Sequence, residues 1–201
     1  MQNGRLLITK GQQMNPELFL SGEKKEINIP RLIAVNGDIC SGSSTLAENL
    51  ALRLGFNKLE AGELFRKITK RFAIIDTHRL SQAINSRIQE AIIGKSRLVI
   101  EGRLVGLQTS GYADVLKILC TANYDTRAKR YMDREGLLNI ETARAMLSER
   151  EKTDNLLMQE VWNLSTDEIF RPELYDVVVD TSLYTAQELT ENICKNIALG
   201  L

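Results

Sequence analysis

The stretch GDICSGSST, residues Gly37–Thr45, decides the fold of this 201-residue chain. It follows a compact apolar run at residues 31–37 and opens a segment, residues 43–54, whose leucines and alanines recur at helical spacing. The run predicts a strand buried on both faces, and the periodic stripe predicts an amphipathic helix. Gly37 and Gly42 permit a tight loop whose backbone N–H groups converge on an anion at the positive end of the helix dipole. A glycine-rich loop in this strand-to-helix context predicts a phosphate-binding loop, or P-loop.

One residue of the loop departs from the general P-loop pattern G-x-x-x-x-G-K-[ST], because Ser43 stands where the pattern has lysine. That lysine neutralises phosphate charge in the transition state, and loss of such a donor costs on the order of 3–4 kcal/mol, roughly a hundred- to thousand-fold in rate. Asp38 adds negative charge beside the anion unless its side chain turns outward. Ser44 stands where a hydroxyl would ligate Mg²⁺, and Thr45 where a second hydroxyl would reach a phosphate. The alternative is an ordinary Gly/Ser-rich turn with Ser43 as the helix N-cap.

The rest of the chain alternates between apolar runs that predict strands and periodic segments that predict helices. The predicted strands lie at residues 31–37, 57–60, 97–102, 115–120 and 175–181. The predicted helices lie at residues 43–54, 61–72, 77–93, 124–135, 139–161 and 185–198. This alternation predicts right-handed βαβ crossovers and a P-loop NTPase-type three-layer α/β sandwich, with a central parallel five-stranded sheet and helices on both faces. We expect one domain at residues 31–201 after an N-terminal extension at residues 1–30, whose segments RLLIT and ELFL form either a hairpin or a loose arm.

Composition argues against several classes of function. Lysine and arginine total 26, as do aspartate and glutamate, so no net charge draws the chain onto polymeric nucleic acid or an anionic membrane. The longest apolar runs have the length of strands, which is too short to span a membrane. The three cysteines form no disulfide or zinc pattern, and any His-ligated metal cluster or Ser/His triad would rest on His78 alone. We therefore expect a cytoplasmic protein, a monomer or weak dimer, with small molecules as ligands.

Six segments lie between residues 31 and 198, namely SGSSTLAENLALRLGF (41–56), AGELFRKIT (61–69), VIEGRLVG (99–106), YDTRAKRYMDREG (124–136), SEREKTD (148–154) and YDVVVDTS (175–182). In their order and spacing these segments resemble the archaeal-type cytidylate kinases of the P-loop nucleoside monophosphate kinase family. The resemblance implies transfer of the γ-phosphate of ATP to CMP or dCMP with Mg²⁺, under a helical lid at about residues 124–160. It implies that ATP is bound by loop and lid residues, namely Gly37, Gly42, Ser43, Ser44, Thr45 and Arg130, with Ser44 as the metal ligand.

The resemblance also implies an acceptor site. Gly62 and Arg66 belong to the segment that surrounds the nucleoside monophosphate, and the guanidinium of Arg66 would grip its phosphate. Glu101 ends an apolar strand, where a carboxylate is costly unless it meets an arginine or a water bound to Mg²⁺. Arg103 would reach the acceptor phosphate. The alternatives are a solvated Arg66 and an internal pair of Glu101 with Arg103 or Arg66.

The predicted lid carries the remaining candidate residues. Arg127, Arg130 and Arg134 recur at helical spacing on one side of a helix, and the resemblance implies that Arg127 and Arg130 approach the donor when the lid closes. It further implies that Arg150 stabilises the transferring phosphoryl group and that Asp154 orients an arginine or the acceptor. The alternatives are a solvated basic face and an exposed i,i+4 ion pair.

The lid departs from the family pattern after Asp154, where Asn155, Leu156, Leu157 and Met158 replace arginines and a tyrosine. Three interpretations stay open. The first is a cytidylate kinase-like enzyme whose activity is reduced by Ser43, unless a lid arginine fills the site of the missing lysine. The second is a nucleotide-binding module that has lost catalysis and exposes the apolar lid residues as a contact surface. The third is a P-loop kinase for another small acceptor.

Overall fold

A parallel sheet forms the centre of the molecule. The computed structural model describes residues 6–8, 29–64, 76–94 and 96–198. The strands are β1 (Leu6–Ile8), β2 (Leu32–Gly37), β3 (Asn57–Glu60), β4 (Leu98–Glu101), β5 (Val115–Thr121) and β6 (Val177–Asp180). Their order across the sheet is β1-β6-β5-β2-β4-β3, and each neighbouring pair is parallel. The five predicted strands and their parallel arrangement are confirmed, and β1 adds a short edge strand beside β6.

Helices connect the strands and cover both faces of the sheet. They are α1 (Ser43–Leu54), α2 (Thr77–Ile93), α3 (Val105–Gln108), α4 (Tyr124–Glu135), α5 (Ile140–Trp162), α6 (Thr166–Ile169) and α7 (Ala186–Ala198). Residues 61–64 are helical as well, and the remainder of the helix predicted at 61–72 lies outside the described residues. In the part of the chain that the structure describes, no helix is long and apolar enough to cross a membrane.

The side chains of β2 alternate between two hydrophobic cores. Ile33 and Val35 pack with α1 and α7 on one face, whereas Leu32 and Ala34 pack with α2 on the other. All four side chains are buried. A strand covered on both faces is apolar without alternation, which is why the run before the P-loop predicted it.

A third apolar cluster joins the lid helices to the loop. Ala128 and Tyr131 of α4 pack against Ala143 and Leu147 of α5, and loop residues 39 and 40 pack on this cluster. The lid helices α4 and α5 are therefore seated on the P-loop by hydrophobic contact, so that charged residues of the lid are held close to it.

The packing of α1 against the sheet can be tested with two leucines of the same helix. Leu50 is completely buried, whereas Leu52 is 73% exposed. Leu50→Ala should lower the free energy of unfolding by about 2–5 kcal/mol, because it removes buried methyl groups and leaves a cavity. Leu52→Ala is the matched control and should change it by at most about 0.5 kcal/mol. Urea denaturation measures both values, and equal losses in the two variants would contradict this packing.

Candidate active site

The carboxyl ends of β2 and β4 open into a cleft of about 960 Å³. In parallel α/β sheets, ligands bind at this edge. The cleft brings together most of the candidate residues from the P-loop, the end of β4 and the lid helices. Those that line it are Gly37, Gly42, Ser43, Ser44, Thr45, Gly62, Glu101, Arg103, Arg130, Arg134, Arg150 and Asp154. Arg127 lies beside the cleft, in contact with the lining residue Asp38. Arg66 lies outside the described residues.

The backbone of the P-loop is shaped for an anion. Gly42 is the N-cap of α1, with a φ of 88° that favours glycine, and its position makes the alternative of Ser43 as N-cap wrong. A Cβ at Gly37 would clash with the Oγ of Ser41, so the first glycine is needed for close packing inside the loop. Because α1 begins without a side-chain cap, its first turn keeps the N–H groups that bind anions at helix N-termini.

Ser43 meets the carboxylate at the end of β4. Its Oγ donates a hydrogen bond of 2.7 Å to Oε1 of Glu101, and both residues are buried. A buried carboxylate is costly without such partners, and the hydroxyl supplies one without adding charge. Position 43 therefore satisfies Glu101 and brings no cation to the loop.

Arg103 lies between the P-loop and α5. Its Nη2 donates to Oδ1 of Asn155 at 2.6 Å, and the same nitrogen lies 3.8 Å from Oδ1 of Asp38. Its Nη1 lies 3.6 Å from Oδ2 of Asp154, and the guanidinium stands over the ring of Phe170. Two of its buried nitrogens, Nε and Nη1, have no hydrogen-bond acceptor among the described residues. An unsatisfied buried donor costs about 1–3 kcal/mol, so this guanidinium has unused capacity for an acceptor.

The carboxylate of Asp38 faces the arginines Arg127 and Arg103. Its Oδ2 accepts a hydrogen bond of 3.1 Å from Nη1 of Arg127, and its Oδ1 accepts one of 2.8 Å from the backbone N–H of Ile39. The same nitrogen of Arg127 also contacts Glu151 of α5. The loop, α4 and α5 are thus joined through one guanidinium.

Arg130 ties α4 to the loop and to the end of β6. It donates to the carbonyl of Thr181 at 2.7 Å, to the Thr181 hydroxyl at 2.8 Å and to the carbonyl of Cys40 at 3.2 Å. The Thr181 hydroxyl in turn donates to the carbonyl of Ser41 at 2.6 Å. Arg134 instead pairs with Glu135 and stands over Tyr131. The solvated-face alternative is therefore wrong for Arg127 and Arg130.

Apolar residues of α5 form one wall of the cleft. Leu157, Met158 and Trp162 line it, and Ile84 and Ile88 of α2 line it as well. The expectation that Leu156, Leu157 and Met158 together form an exposed contact surface is wrong, because only Leu156 points to solvent, at 62% exposure. The helical period places residues 157 and 158 on the side of α5 that faces the cleft.

A family model matches the part of the chain that contains the end of β4 and the lid helices. Residues 74–183 match the cytidylate kinase-like family. This chain belongs to the cytidylate kinase-like family. The predicted resemblance is thereby confirmed.

Two archaeal cytidylate kinases are among the relatives of this cytidylate kinase-like chain. It is 34% identical to a cytidylate kinase of Thermococcus kodakarensis over 160 residues, which cover 75% of this chain and 79% of the relative. It is 29% identical to a cytidylate kinase of Ignicoccus hospitalis over 170 residues, covering 81% and 96% of the two chains.

Solved structures share the fold. A shikimate kinase of Acinetobacter baumannii in complex with shikimate superposes with a TM-score of 0.54 at 18% identity, covering 84% of this chain and 93% of its own. A gluconokinase of Sinorhizobium meliloti gives a TM-score of 0.56 at 19% identity, covering 85% and 93%. At these identities the likeness concerns the kinase fold alone.

In the cleft of this cytidylate kinase-like protein, the pKa of the Asp154 carboxyl is shifted. Burial raises the pKa of its carboxyl above the ordinary value of 3.8, and Asp38 adds to the rise. Arg150 and Arg103 act in the opposite direction and lower the pKa. The exposed Arg150 therefore acts on Asp154 electrostatically.

This pKa shift predicts how stability depends on pH. The folded state binds the Asp154 proton more tightly than the unfolded state, so its contribution to stability is present below the ordinary pKa and is lost as pH rises through the raised pKa. Asp154→Asn should therefore raise the Tm at pH 7 and lose this advantage near about pH 4.

Thermal unfolding across this pH range, followed by circular dichroism, measures the effect. Asp125→Asn is the control, because its carboxylate is 78% exposed and pairs with Arg144 away from the cleft. A gain in Tm that is the same at both pH values, or a loss at pH 7, would contradict the assignment of burial as the dominant cause.

Proposed function

We propose that this chain transfers the γ-phosphate of ATP to CMP or dCMP. The observation that carries the proposal is Arg103, whose buried Nε and Nη1 lack an acceptor among the described residues. It lies in a cleft shared by the P-loop and the lid. A phosphate would satisfy both donors in the planar, two-pronged geometry that guanidinium groups favour. The cytidylate kinase names of the archaeal relatives support CMP as the acceptor.

The donor nucleotide fits the P-loop side of the cleft. ATP phosphates would be bound by the loop backbone between Gly37 and Gly42 and by the hydroxyls of Ser44 and Thr45, which are exposed at the start of α1. Arg127 and Arg130 lie against the same loop from the lid side.

Mg²⁺ would be held at the start of α1, where the hydroxyl of Ser44 offers an oxygen ligand. In the described part of the chain, no group of three or more His, Cys, Asp or Glu residues could hold a metal ion. Mg²⁺ in kinases is commonly held by substrate phosphates, water and few protein oxygens, and Ser44 would be the protein oxygen here. When bound, the ion supplies neutralisation of the charge on the β- and γ-phosphates.

The acceptor fits the opposite side, where charge and apolar surface meet. Arg103 would bind the monophosphate together with Arg66, and Asp154 would orient Arg103 across their 3.6 Å separation. Gly62 and Glu101 would complete this side of the cleft. The apolar wall of α2 and α5 would hold the base.

Catalysis would consist of positioning and charge. Arg150 would stabilise the transferring phosphoryl group from the lid side of the cleft, together with Arg127. Ser43 leaves two consequences open, a reduced rate or replacement of the lysine charge by arginine. The ion pairs that Arg127 and Arg103 make with the loop residue Asp38 favour replacement.

A second candidate function is nucleotide binding without turnover. The hydrogen bond that the uncharged Ser43 hydroxyl donates to Glu101 favours it, because the loop then contributes no cation from position 43. The position of Leu157 and Met158 inside the cleft counts against it, since it removes most of the contact surface that an interaction module would use.

A phosphotransfer assay distinguishes the two. ADP formation would be followed with ATP and CMP, dCMP, UMP, AMP or GMP as acceptor, beside calorimetric titration of ATP and CMP. Turnover confined to CMP and dCMP would support the kinase. Saturable binding with no turnover, in the native chain and in Ser43→Lys alike, would overturn it in favour of the binding module.

The role of Arg103 in acceptor binding is tested by Arg103→Lys. Lysine keeps the charge that Asp38 and Asp154 need but loses the planar fork, so the affinity for CMP should fall by about 10–100-fold. Arg144→Lys is the matched control, because Arg144 pairs with Asp125 and Glu141 outside the cleft. Titration with CMP and thermal unfolding measure both variants. Native CMP affinity in Arg103→Lys, or a large fall in its Tm, would show that Arg103 is structural.

A further inference from the structure

The carboxylate of Asp38 lies between two guanidinium groups that come from different elements. Its Oδ2 is 3.1 Å from Nη1 of Arg127 on α4, and its Oδ1 is 3.8 Å from Nη2 of Arg103, which follows β4. The two arginine side chains are only 13% and 15% exposed. Charges that are largely removed from solvent interact with little screening, so these contacts fix both cations.

Each arginine has a competing partner on α5. Arg127 also contacts Glu151, and Arg103 also lies near Asp154. Both competing carboxylates belong to the lid and not to the P-loop. Without Asp38, the remaining carboxylates would hold each guanidinium towards α5, and the long side chains would regain rotamer freedom.

We infer that Asp38 is a positioning residue for phosphoryl transfer, which holds Arg127 and Arg103 against the P-loop so that their charge takes the place of the lysine absent at position 43. The inference rests on the proposed function, because the two cations matter for transfer only when phosphates occupy the cleft. Position 43 itself cannot supply the charge, since the Ser43 hydroxyl is neutral and bonded to Glu101.

Asp38 faces Arg103 without occupying the two donors that lack an acceptor in the described part of the chain. It faces Arg103 through Nη2, and among the described residues the buried Nε and Nη1 of that side chain have no hydrogen-bond acceptor. A guanidinium held at one corner in this way keeps its other N–H groups for a ligand oxygen. Asp38 therefore positions Arg103 and does not compete with a phosphate for it. A competing carboxylate would occupy the N–H groups that the phosphate needs.

The test compares Asp38→Asn with Asp38→Glu and with the control Asp125→Asn, whose carboxylate pairs with Arg144 outside the cleft. Asp38→Asn should lower kcat by at least about ten-fold with a smaller change in the KM for ATP, because it removes a charge-assisted contact that acts on the transferring group. It should also weaken the binding of inorganic tripolyphosphate, measured by calorimetry, by a smaller factor of about three-fold, in line with the smaller change in KM. Asp38→Glu should restore most of both losses, and Asp125→Asn should match the native chain.

Two further variants test whether Asp38 acts through Arg127 and whether a lysine at position 43 makes this role unnecessary. Asp38→Asn combined with Arg127→Ala should lose less than the two single variants lose together, since part of the effect of Asp38 acts through Arg127 and the remainder through Arg103. Ser43→Lys should raise the kcat of the Asp38→Asn variant and barely change that of the native chain. Tighter tripolyphosphate binding in Asp38→Asn, or additive losses in the double variant, would overturn the inference. The tripolyphosphate titration needs no turnover, so it decides the role of Asp38 even if the chain proves not to be a kinase.

Discussion

A phosphate-binding loop needs positive charge beside it. In this chain the loop residue that contacts the neighbouring arginines is an acid, Asp38. Asp38 accepts a hydrogen bond from Arg127 at 3.1 Å and lies 3.8 Å from Arg103. The Ser43 hydroxyl donates its hydrogen bond to Glu101. Two guanidinium groups from elsewhere in the chain thus lie beside a loop that has no lysine at position 43. The rest of the cleft depends on how the fold brings those side chains to the loop.

Three features of the fold do so. The parallel register of β2 and β4 pairs Val35 with Glu101, which sets the end of β4, and so Arg103, beside the start of the loop. The apolar cluster of α4 and α5 packs on loop residues 39 and 40, which seats Arg127 and Arg130 above it. The hydroxyl of Thr181, just after β6, joins Arg130 to the loop carbonyl of Ser41. Hydrophobic packing therefore sets the distances between the arginines and the loop, and at these distances the ion pairs form.

The sequence was sufficient for the fold because its main elements are local patterns. The apolar run of β2, the stripes of the long helices and the glycines of the loop each report on a few neighbouring residues. The four-residue helices α3 and α6 are too short to show a period, and they were not predicted. The predicted segment that contains Arg66 lies outside the described residues.

The partners within the cleft were harder to predict, because they are distant in sequence. Asp38 and Arg127 are 89 positions apart, and Arg103 and Asn155 are 52 positions apart. A single sequence gives residue types and local spacing, but it does not show which distant side chains meet. Thr181 is a lone hydroxyl after a strand, and Leu157 and Met158 are apolar residues on a helix whose neighbours were unknown. In each case tertiary packing, and not local pattern, decides the role.

Arg103 has buried donors that a phosphate would satisfy, and its own N–H signal reports whether CMP does so. The Nε–H resonance of Arg103 would be assigned in a ¹H–¹⁵N spectrum by its absence in the lysine variant and followed as CMP is added. If the CMP phosphate binds Arg103, the resonance should move downfield and exchange more slowly with solvent as CMP saturates the protein, because the buried donor gains an acceptor. A resonance that stays in place while calorimetry shows saturable CMP binding would contradict the account.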